Sequence, residues 1–405
     1  MKNTGIKIAL YLNYFVFAIL LNSVGIVILK SQKNYGVDEV QASILEAFKD
    51  MPIAIVSFFI ASFLPRIGYK KAMLIALALV SVACITMYFG NSFDTAKLLF
   101  ATVGVSFALI KVSVYSLIGS VTENQKDHNA LMSSIEGVFM IGIALAYFLF
   151  PAFNRENNPD GWLNVYWLLA SLTILSFVFL FFTKFKKEEI PGSDIADDFL
   201  QMIRLMARLL IIVFVISAFL FVMIEQGIMS WLPTFNDKVL HLPENISIMM
   251  ASILAISLAT GRILAGFLTK RINWIWVLGT CICCSMLIVV FVLPKTVGLE
   301  VKAINSLSDI PLIGFAFPLI GLFIAPIYPL LNSVVLSALP KKLHSQMTGL
   351  IVVFSALGGT LGSRSIGWLF KNQGPENAFY FTLIPMVLLL IAFFILKKLT
   401  AKNEI

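Results

Sequence analysis

Hydrophobic residues are grouped in long runs along the whole chain, and short polar breaks separate the runs. Each run is long enough to cross about 30 Å of hydrocarbon as a helix that rises about 1.5 Å per residue. The strict alternation that lipid-facing barrel strands require is absent, so we expect helices. Twelve spans are predicted, at residues 6–30, 41–64, 71–89, 96–121, 130–152, 163–183, 207–232, 246–269, 273–294, 310–337, 347–370 and 378–396.

Composition supports this interpretation. Of 405 residues, 59% are hydrophobic and 13% are charged, which is about half the charged fraction of a typical soluble protein. This balance, with a mean hydropathy of +0.92, excludes an ordinary soluble enzyme, a disordered chain and a secreted disulfide scaffold. The first span lacks the small-residue cleavage site of a signal peptide, so we expect a retained helix. The predicted class is an all-α membrane protein.

Lysine and arginine are unevenly divided between the two sets of loops. Of 30 such residues, 18 lie at the chain ends and even-numbered loops and 8 at the odd-numbered loops. The positive-inside rule therefore predicts cytoplasmic termini in a multi-pass protein of the cell (inner) membrane. The net charge of +8 then faces anionic headgroups, and we expect no nucleic-acid partner.

One long polar break divides the chain. It extends from Lys184 to Asp198 and contains Pro191, Gly192 and Ser193. We predict a six-helix bundle over residues 1–183, a cytoplasmic linker over 184–206 and a second six-helix bundle over 207–405.

Basic loops follow the second and eighth spans. Arg66 and Lys70 lie in the first loop, and Arg271 lies in the second, 205 residues after Arg66. The spacing predicts an internal repeat with a cytoplasmic latch, in which cations meet helix ends or acidic partners. The alternative is positive charge that only sets the orientation.

Ionisable side chains inside spanning helices are costly, so each one is a candidate for function. Eight are present: Glu46, Lys49, Asp50, Lys111, Glu136, Glu225, Arg262 and Arg364.

The four carboxylates are candidates to carry a coupling proton. Glu46, Lys49 and Asp50 share one helix face, so Lys49 could instead neutralise the two acids in a salt bridge. Glu136 could line a cavity or bond the hydroxyls of a neighbouring helix. For Glu225, a gating or substrate-facing role competes with a structural one.

Three cations complete the set. A lysine at the bilayer centre costs about 2.5–3.5 kcal/mol, so Lys111 must pair with a carboxylate, lose its proton or hold an anionic substrate. Arg262 keeps its proton, so pairing or anion binding remains for it. We expect Arg364 to be a structural or inner-gate residue.

Several uncharged residues could bond or stack against a sugar-like solute, although each could equally be an interhelical or interface residue. They are Asn22, Tyr115, Gln226, Trp231 and Asn332. Pro326 and Pro329 are expected to break the tenth helix and to mark a hinge.

The six-plus-six arrangement, the charged central loop and the basic loop after the second span resemble the major facilitator superfamily of secondary transporters, over essentially the whole chain. Three stretches resemble its fucose:proton symporter family: Phe219–Phe235, Gly261–Arg262 and Pro326–Pro329. The resemblance implies sugar import driven by protons.

The chain departs from that family at two positions. The family carries an acid in its first helix, whereas Asn22–Ile26 has none. It also carries a glutamate in its fourth helix, about where Lys111 stands. A solute with a carboxylate suits Lys111 and Arg262 better than a neutral hexose does.

The leading hypothesis is therefore a monomeric secondary active transporter that takes up a small polar solute together with protons by alternating access. The solute is a sugar, a sugar acid or another organic anion. One alternative is efflux of amphipathic drugs through an adaptable cavity, given 35 Phe and 15 Met. Another is a non-transporting receptor or scaffold.

No catalytic constellation is visible in the sequence. It lacks a phosphate-binding glycine loop, and its four cysteines match no zinc spacing. We expect no enzyme activity, metal or cofactor.

Overall fold

The computed structural model describes residues 4–122, 125–154, 158–185, 204, 206–269, 271–296, 309–337 and 344–403. Within these ranges, twelve long helical segments follow one another, and we number them α1 to α12. The first six are called the N half and the last six the C half.

In the N half, α1 is bent at Ser23. Helix α4 begins with a capping box, in which the Ser92 hydroxyl accepts a hydrogen bond from the Thr95 backbone N–H. The helices are α1 (Thr4–Asn22 and Val24–Tyr35), α2 (Ile44–Ile67), α3 (Tyr69–Gly90), α4 (Phe93–Val121), α5 (Gln125–Phe153) and α6 (Val165–Phe182). A short turn, Glu39–Ala42, leads into α2.

In the C half, the helices are α7 (Leu209–Lys238), α8 (Glu244–Leu268), α9 (Trp274–Leu287, continued by a π turn Ile288–Val292 and Leu293–Thr296), α10 (short turns from Leu312 to Ile324, then Ile327–Ser337), α11 (His344–Asn372) and α12 (Leu383–Asn403). The helix of α10 is interrupted at Ala325 and Pro326, where a break was predicted. Pro329 lies inside the helix that follows.

Each predicted span coincides with one of these helices, which confirms the all-α fold. Eleven helical segments of the described chain are long and apolar enough to cross a membrane. The remaining long helix, α2, carries Glu46, Lys49 and Asp50. The first predicted span ends at residue 30, but α1 continues to Tyr35 and ends at Gly36, which has the left-handed conformation of a helix C-cap. Lys30 and Lys33 in this last part are paired with acids of the C half.

Helix packing occurs mainly within each half. Between the halves, α1 contacts α7, α2 contacts α11, and α5 contacts α8. At Gly25 of α1, an added Cβ would lie 2.8 Å from the Ser230 carbonyl oxygen of α7. A residue without a side chain therefore allows the two backbones to approach.

Two faces are distinguished below. The terminal face carries the chain ends and the loops after the even-numbered helices, and the distal face carries the loops after the odd-numbered helices.

Candidate functional site

Glu46, Lys49 and Asp50, which we call the α2 triad, lie on one face of α2 and are buried. The Lys49 ammonium pairs with Glu46 Oε1 and lies 3.6 Å from Asp50 Oδ1. The Ser230 hydroxyl of α7 donates to Glu46 Oε2 at 2.7 Å. The predicted salt bridge is therefore present, and it contacts the C half.

Helix α11 closes the other side of the α2 triad. A Cβ added at Gly359 would overlap Asp50 Oδ2 and would lie 3.3 Å from Cγ of Gln226. The glycine lets the carboxylate lie directly against the α11 backbone. Gln226 is thereby placed beside the triad.

Arg262 and Glu225 form a second charged pair within the C half. Nη2 of Arg262 lies 3.5 Å from Glu225 Oε1, and the arginine side chain is 32% exposed. Nη1 lies 3.7 Å from the Met140 sulfur of α5, whereas the buried Nε has no hydrogen-bond partner in the described structure. Arg262 therefore reaches the N half with unused donor capacity.

Lys111 belongs to the N half. Its ammonium stands 5.8 Å from the Phe107 ring centroid, and no ion pair with it is found among the described residues. Glu136, which accepts a hydrogen bond from the Tyr115 hydroxyl at 2.6 Å, lies within electrostatic reach of Lys111. Pairing, loss of the proton and anion binding therefore all stay open for Lys111.

Other predicted contact residues take different positions. Asn332 of α10 has a buried Oδ1 without a partner in the described structure. Trp231 is fully buried and donates to the Ser363 hydroxyl at 3.0 Å, so it packs α7 against α11. Asn22 donates to the Ala18 carbonyl of its own helix at 2.8 Å.

Two site residues were missed by the sequence analysis. Tyr328 lies within the Pro326–Pro329 stretch that we had singled out, stacks on Phe221 at 5.5 Å and bonds Ser355 at 3.2 Å. Ser230 lies one helical turn beyond the predicted Gln226, so helical spacing could have identified it.

Of the four predicted latch residues, Lys70, Arg271 and Arg364 have described side chains, and none of these forms an ion pair with another described residue. Lys70 donates to the carbonyls of Phe181 and Thr183 at 2.8 Å each, so it caps the end of α6 within the N half. Arg271 is exposed just after α8. The Arg66 side chain is outside the described part of the structure.

Arg364 does not face the polar centre. It lies on an exposed stripe of α11 between Leu361 and Trp368, which are 45% and 50% exposed. It is eight residues from the distal end of α11, Asn372. The position therefore does not fit an inner-gate residue, because its side chain is directed toward lipid in the distal half of the helix.

The distal face carries a set of ion pairs that join the two halves, and we call it the distal gate. Its pairs are Lys30 with Glu244, Lys33 with Asp237 (2.5 Å) and with Glu244 (3.5 Å), Lys238 with Glu39, and Lys371 with Asp38 (2.8 Å). Every ion pair between the halves that the described residues form lies in this set. The sequence analysis had treated Lys30 and Lys33 as loop charges.

Lys30 is the most buried member of the distal gate. Its ammonium donates to Asn154 Oδ1 at 3.0 Å and lies 5.7 Å from the Trp162 ring centroid. The Asn154 amide donates to Glu244 at 3.1 Å. At the exposed end of the gate, hydrogen bonds from Lys371 and from the Gln41 backbone N–H lower the pKa of Asp38.

Comparison with known proteins was made for sequence and for structure. The sequence model of the Major Facilitator Superfamily matches residues 10–363. The glucose/mannose transporter GlcP of Bacillus subtilis (strain 168) is 27% identical over 161 residues, which are 40% of this chain and 36% of the relative. The alignment thus spans about a third of that relative.

Three solved structures share the fold. A bacterial homologue of the human lysosomal transporter Spinster, inward-facing and occupied, matches with a TM-score of 0.78 at 14% identity, covering 99% of this chain and 98% of its own. The D-xylose-proton symporter matches with a TM-score of 0.72 at 14% identity, covering 98% of this chain and 97% of its own. FucP in the outward conformation matches with a TM-score of 0.66 at 13% identity, covering 99% of each chain.

Proposed function

The chain belongs to the Major Facilitator Superfamily, whose members are transporters and not enzymes, and we propose that it carries a small polar solute by proton-coupled alternating access. Two six-helix bundles, residues 1–183 and 207–405 joined by the linker 184–206, rock about the central site. The cycle involves one solute-binding region near the bilayer midplane.

One observation carries the proposal. Partly exposed ionisable side chains occur in the middle of helices of both halves, and the contact from Arg262 to Met140 links the halves there. Lys111 and Glu136 belong to the N half, and Glu225 belongs to the C half. Such charges are costly in a membrane unless they serve a substrate or ion path.

The solute that fits this site best is a sugar or a sugar acid. The unpaired ammonium of Lys111 and the spare donors of Arg262 would hold a carboxylate. Tyr115, Gln226 and Asn332 would bond hydroxyl groups. The relatives named above include a glucose/mannose transporter and a xylose-proton symporter, which favours sugar-like solutes.

We propose the orientation from the charge distribution. The positive-inside rule predicts a cytoplasmic position for the lysine-rich terminal face, which leaves the distal face on the outside of the membrane. In this conformation the distal gate then closes the outer side. We propose uptake, driven by the inward proton gradient.

The test is uptake into proteoliposomes that contain the purified full-length protein. D-glucose, D-mannose, L-fucose, D-xylose, D-gluconate and D-glucuronate are offered with and without an inward-directed proton gradient. We expect at least one to accumulate only with the gradient, and a protonophore to abolish accumulation. If none accumulates and amphipathic drugs alone stabilise the protein against heat, the efflux alternative is favoured.

A further inference from the structure

We propose that Asp50 is the residue that carries the coupling proton, and that the α2 triad binds one proton per transport cycle. The inference rests on the proposed proton coupling and names its site. The α2 triad contains two carboxylates and one ammonium, so one unit of negative charge is left without a partner when all three are ionised.

Hydrogen bonding separates the two carboxylates. Both oxygens of Glu46 have donors, Lys49 for Oε1 and Ser230 for Oε2. Asp50 has the weaker contact, because the Lys49 ammonium lies 3.6 Å from its Oδ1, which exceeds the usual 2.7–3.2 Å of an N–H···O bond. Ionised Glu46 is therefore better stabilised than ionised Asp50.

Among the described residues, Lys49 and Glu46 are the charged groups within electrostatic reach of Asp50. On α7, Glu225 interacts with Lys49 but is itself paired with Arg262. On α5, Tyr147 lies within electrostatic reach of Glu46. Helix α11 presents Gly359 to the carboxylate, and the arginine of that helix lies on its exposed stripe.

The surplus charge matters because the α2 triad lies between the halves. Glu46 bonds α7 and Asp50 lies against α11, so water is excluded when the site is occluded. A second buried carboxylate that shares one ammonium with the first costs several kcal/mol in such surroundings. One proton on Asp50 removes that cost and leaves Lys49 and Glu46 as a neutral pair.

The first test requires no transported solute. Infrared difference spectra of the full-length protein in liposomes, recorded across a pH step, report the C=O stretching band of a buried protonated carboxyl. We expect Asp50→Asn to remove one such band and to lower proton binding by one per molecule, measured with a pH-sensitive dye. Glu136→Gln is the control in the same half and keeps the band, whereas Glu46→Gln removes it as well, because Asp50 then forms a neutral pair with Lys49.

Survival of the band in Asp50→Asn, or its loss in Glu136→Gln or Glu225→Gln, would overturn the assignment. A band that shifts in Glu46→Asp and stays in place in Asp50→Glu would assign the proton to Glu46 instead. If Asp50→Asn does not fold, Asp50→Glu serves, because a glutamic acid shifts the band rather than removing it. Failure of the wild-type protein to accumulate any solute with a proton gradient would defeat the proposed function instead. The two failures are therefore distinguishable.

Discussion

Replacing Glu244 by glutamine is expected to weaken the distal gate selectively. Glu244 meets two lysines of α1, Lys30 through Oε1 and Lys33 through Oε2, and it also accepts from Asn154. Glutamine preserves the shape and one accepting oxygen but removes the charge. The Lys30 ammonium, only 2% exposed, then stays buried without a carboxylate partner.

The size of the effect follows from burial. Breaking a fully buried ion pair costs about 3–5 kcal/mol, but Glu244 is 19% exposed and Asn154 continues to accept from Lys30. A charged hydrogen bond is worth about 1.5–3 kcal/mol, so we take about 2 kcal/mol. That free energy raises the ratio of distal-open to distal-closed molecules by about 30-fold.

Two further variants are compared with Glu244→Gln, one with a smaller expected effect and one with none. Asp237→Asn removes a pair whose lysine is 35% exposed, so we expect less than about 1 kcal/mol. Asp94→Asn removes the Asp94–Lys97 pair on the same face, which lies within α4 and does not join the halves. Asp94→Asn should leave the ratio of distal-open to distal-closed molecules unchanged.

The assay is pulsed electron–electron resonance between spin labels at exposed Asp160 and Gln373, in a background without the four native cysteines. These positions lie on the distal face in different halves. Wild type should give one short distance, and Glu244→Gln should add a longer one. Identical distance distributions in Glu244→Gln and Asp94→Asn would refute the assignment of the gate.

Three further predictions concern the site and the loops. Gly359→Ala should cost about 1–3 kcal/mol of stability through overpacking against the α2 triad, and it should slow uptake. Gly266→Ala is the control, because Gly266 has open space around it, and it should change neither property. Thermal unfolding and the rate of uptake are the measurements. Lys111→Ala should lower uptake of a sugar acid by about 10- to 100-fold and spare a neutral hexose; equal losses would contradict an anion-binding role. The hydrogen bond from Lys371 lowers the pKa of Asp38, so ionised Asp38 stabilises the fold above its unfolded pKa of about 3.9. This stabilisation is lost as the pH falls through the pKa of the folded state. Asp38→Asn should therefore flatten the dependence of Tm on pH in that range.

The fold could be predicted because hydropathy alone specifies which segments span a membrane. The break near Pro326 followed from a missing backbone donor. The continuation of α1 to Tyr35 had a signal in Gly36, a residue that favours the left-handed C-cap. The partner of Lys30 could not be foreseen, because Glu244 is 214 residues from it in sequence. The distal gate was missed for the same reason.

The site could be predicted in part. The ionisable residues in the helices were identified by their cost in lipid, and spacing placed the three members of the α2 triad on one face. The exposed position of Arg364 could also have been predicted from spacing. Leu361 and Trp368 are its neighbours at i−3 and i+4, and an apolar stripe of this kind is typical of a helix face turned toward lipid. The sequence pattern could not show which of Glu46 and Asp50 accepts hydrogen bonds, because the Ser230 donor comes from another helix.

Two pairs of the distal gate involve the helices that surround the α2 triad, namely α2, α7 and α11. Glu39 and Asp38, directly before α2, pair with Lys238 of α7 and Lys371 of α11. Two to three turns deeper, about 12–18 Å along the helices at about 1.5 Å per residue, α7 and α11 meet the α2 triad through Ser230 and Gly359. Movement of α2 away from α7 and α11 that breaks the gate pairs therefore also removes the serine donor from Glu46 and exposes Asp50 to water. Proton exchange at Asp50 and opening of the distal face are then two consequences of one displacement, so a proton gradient could drive the gate without a separate relay.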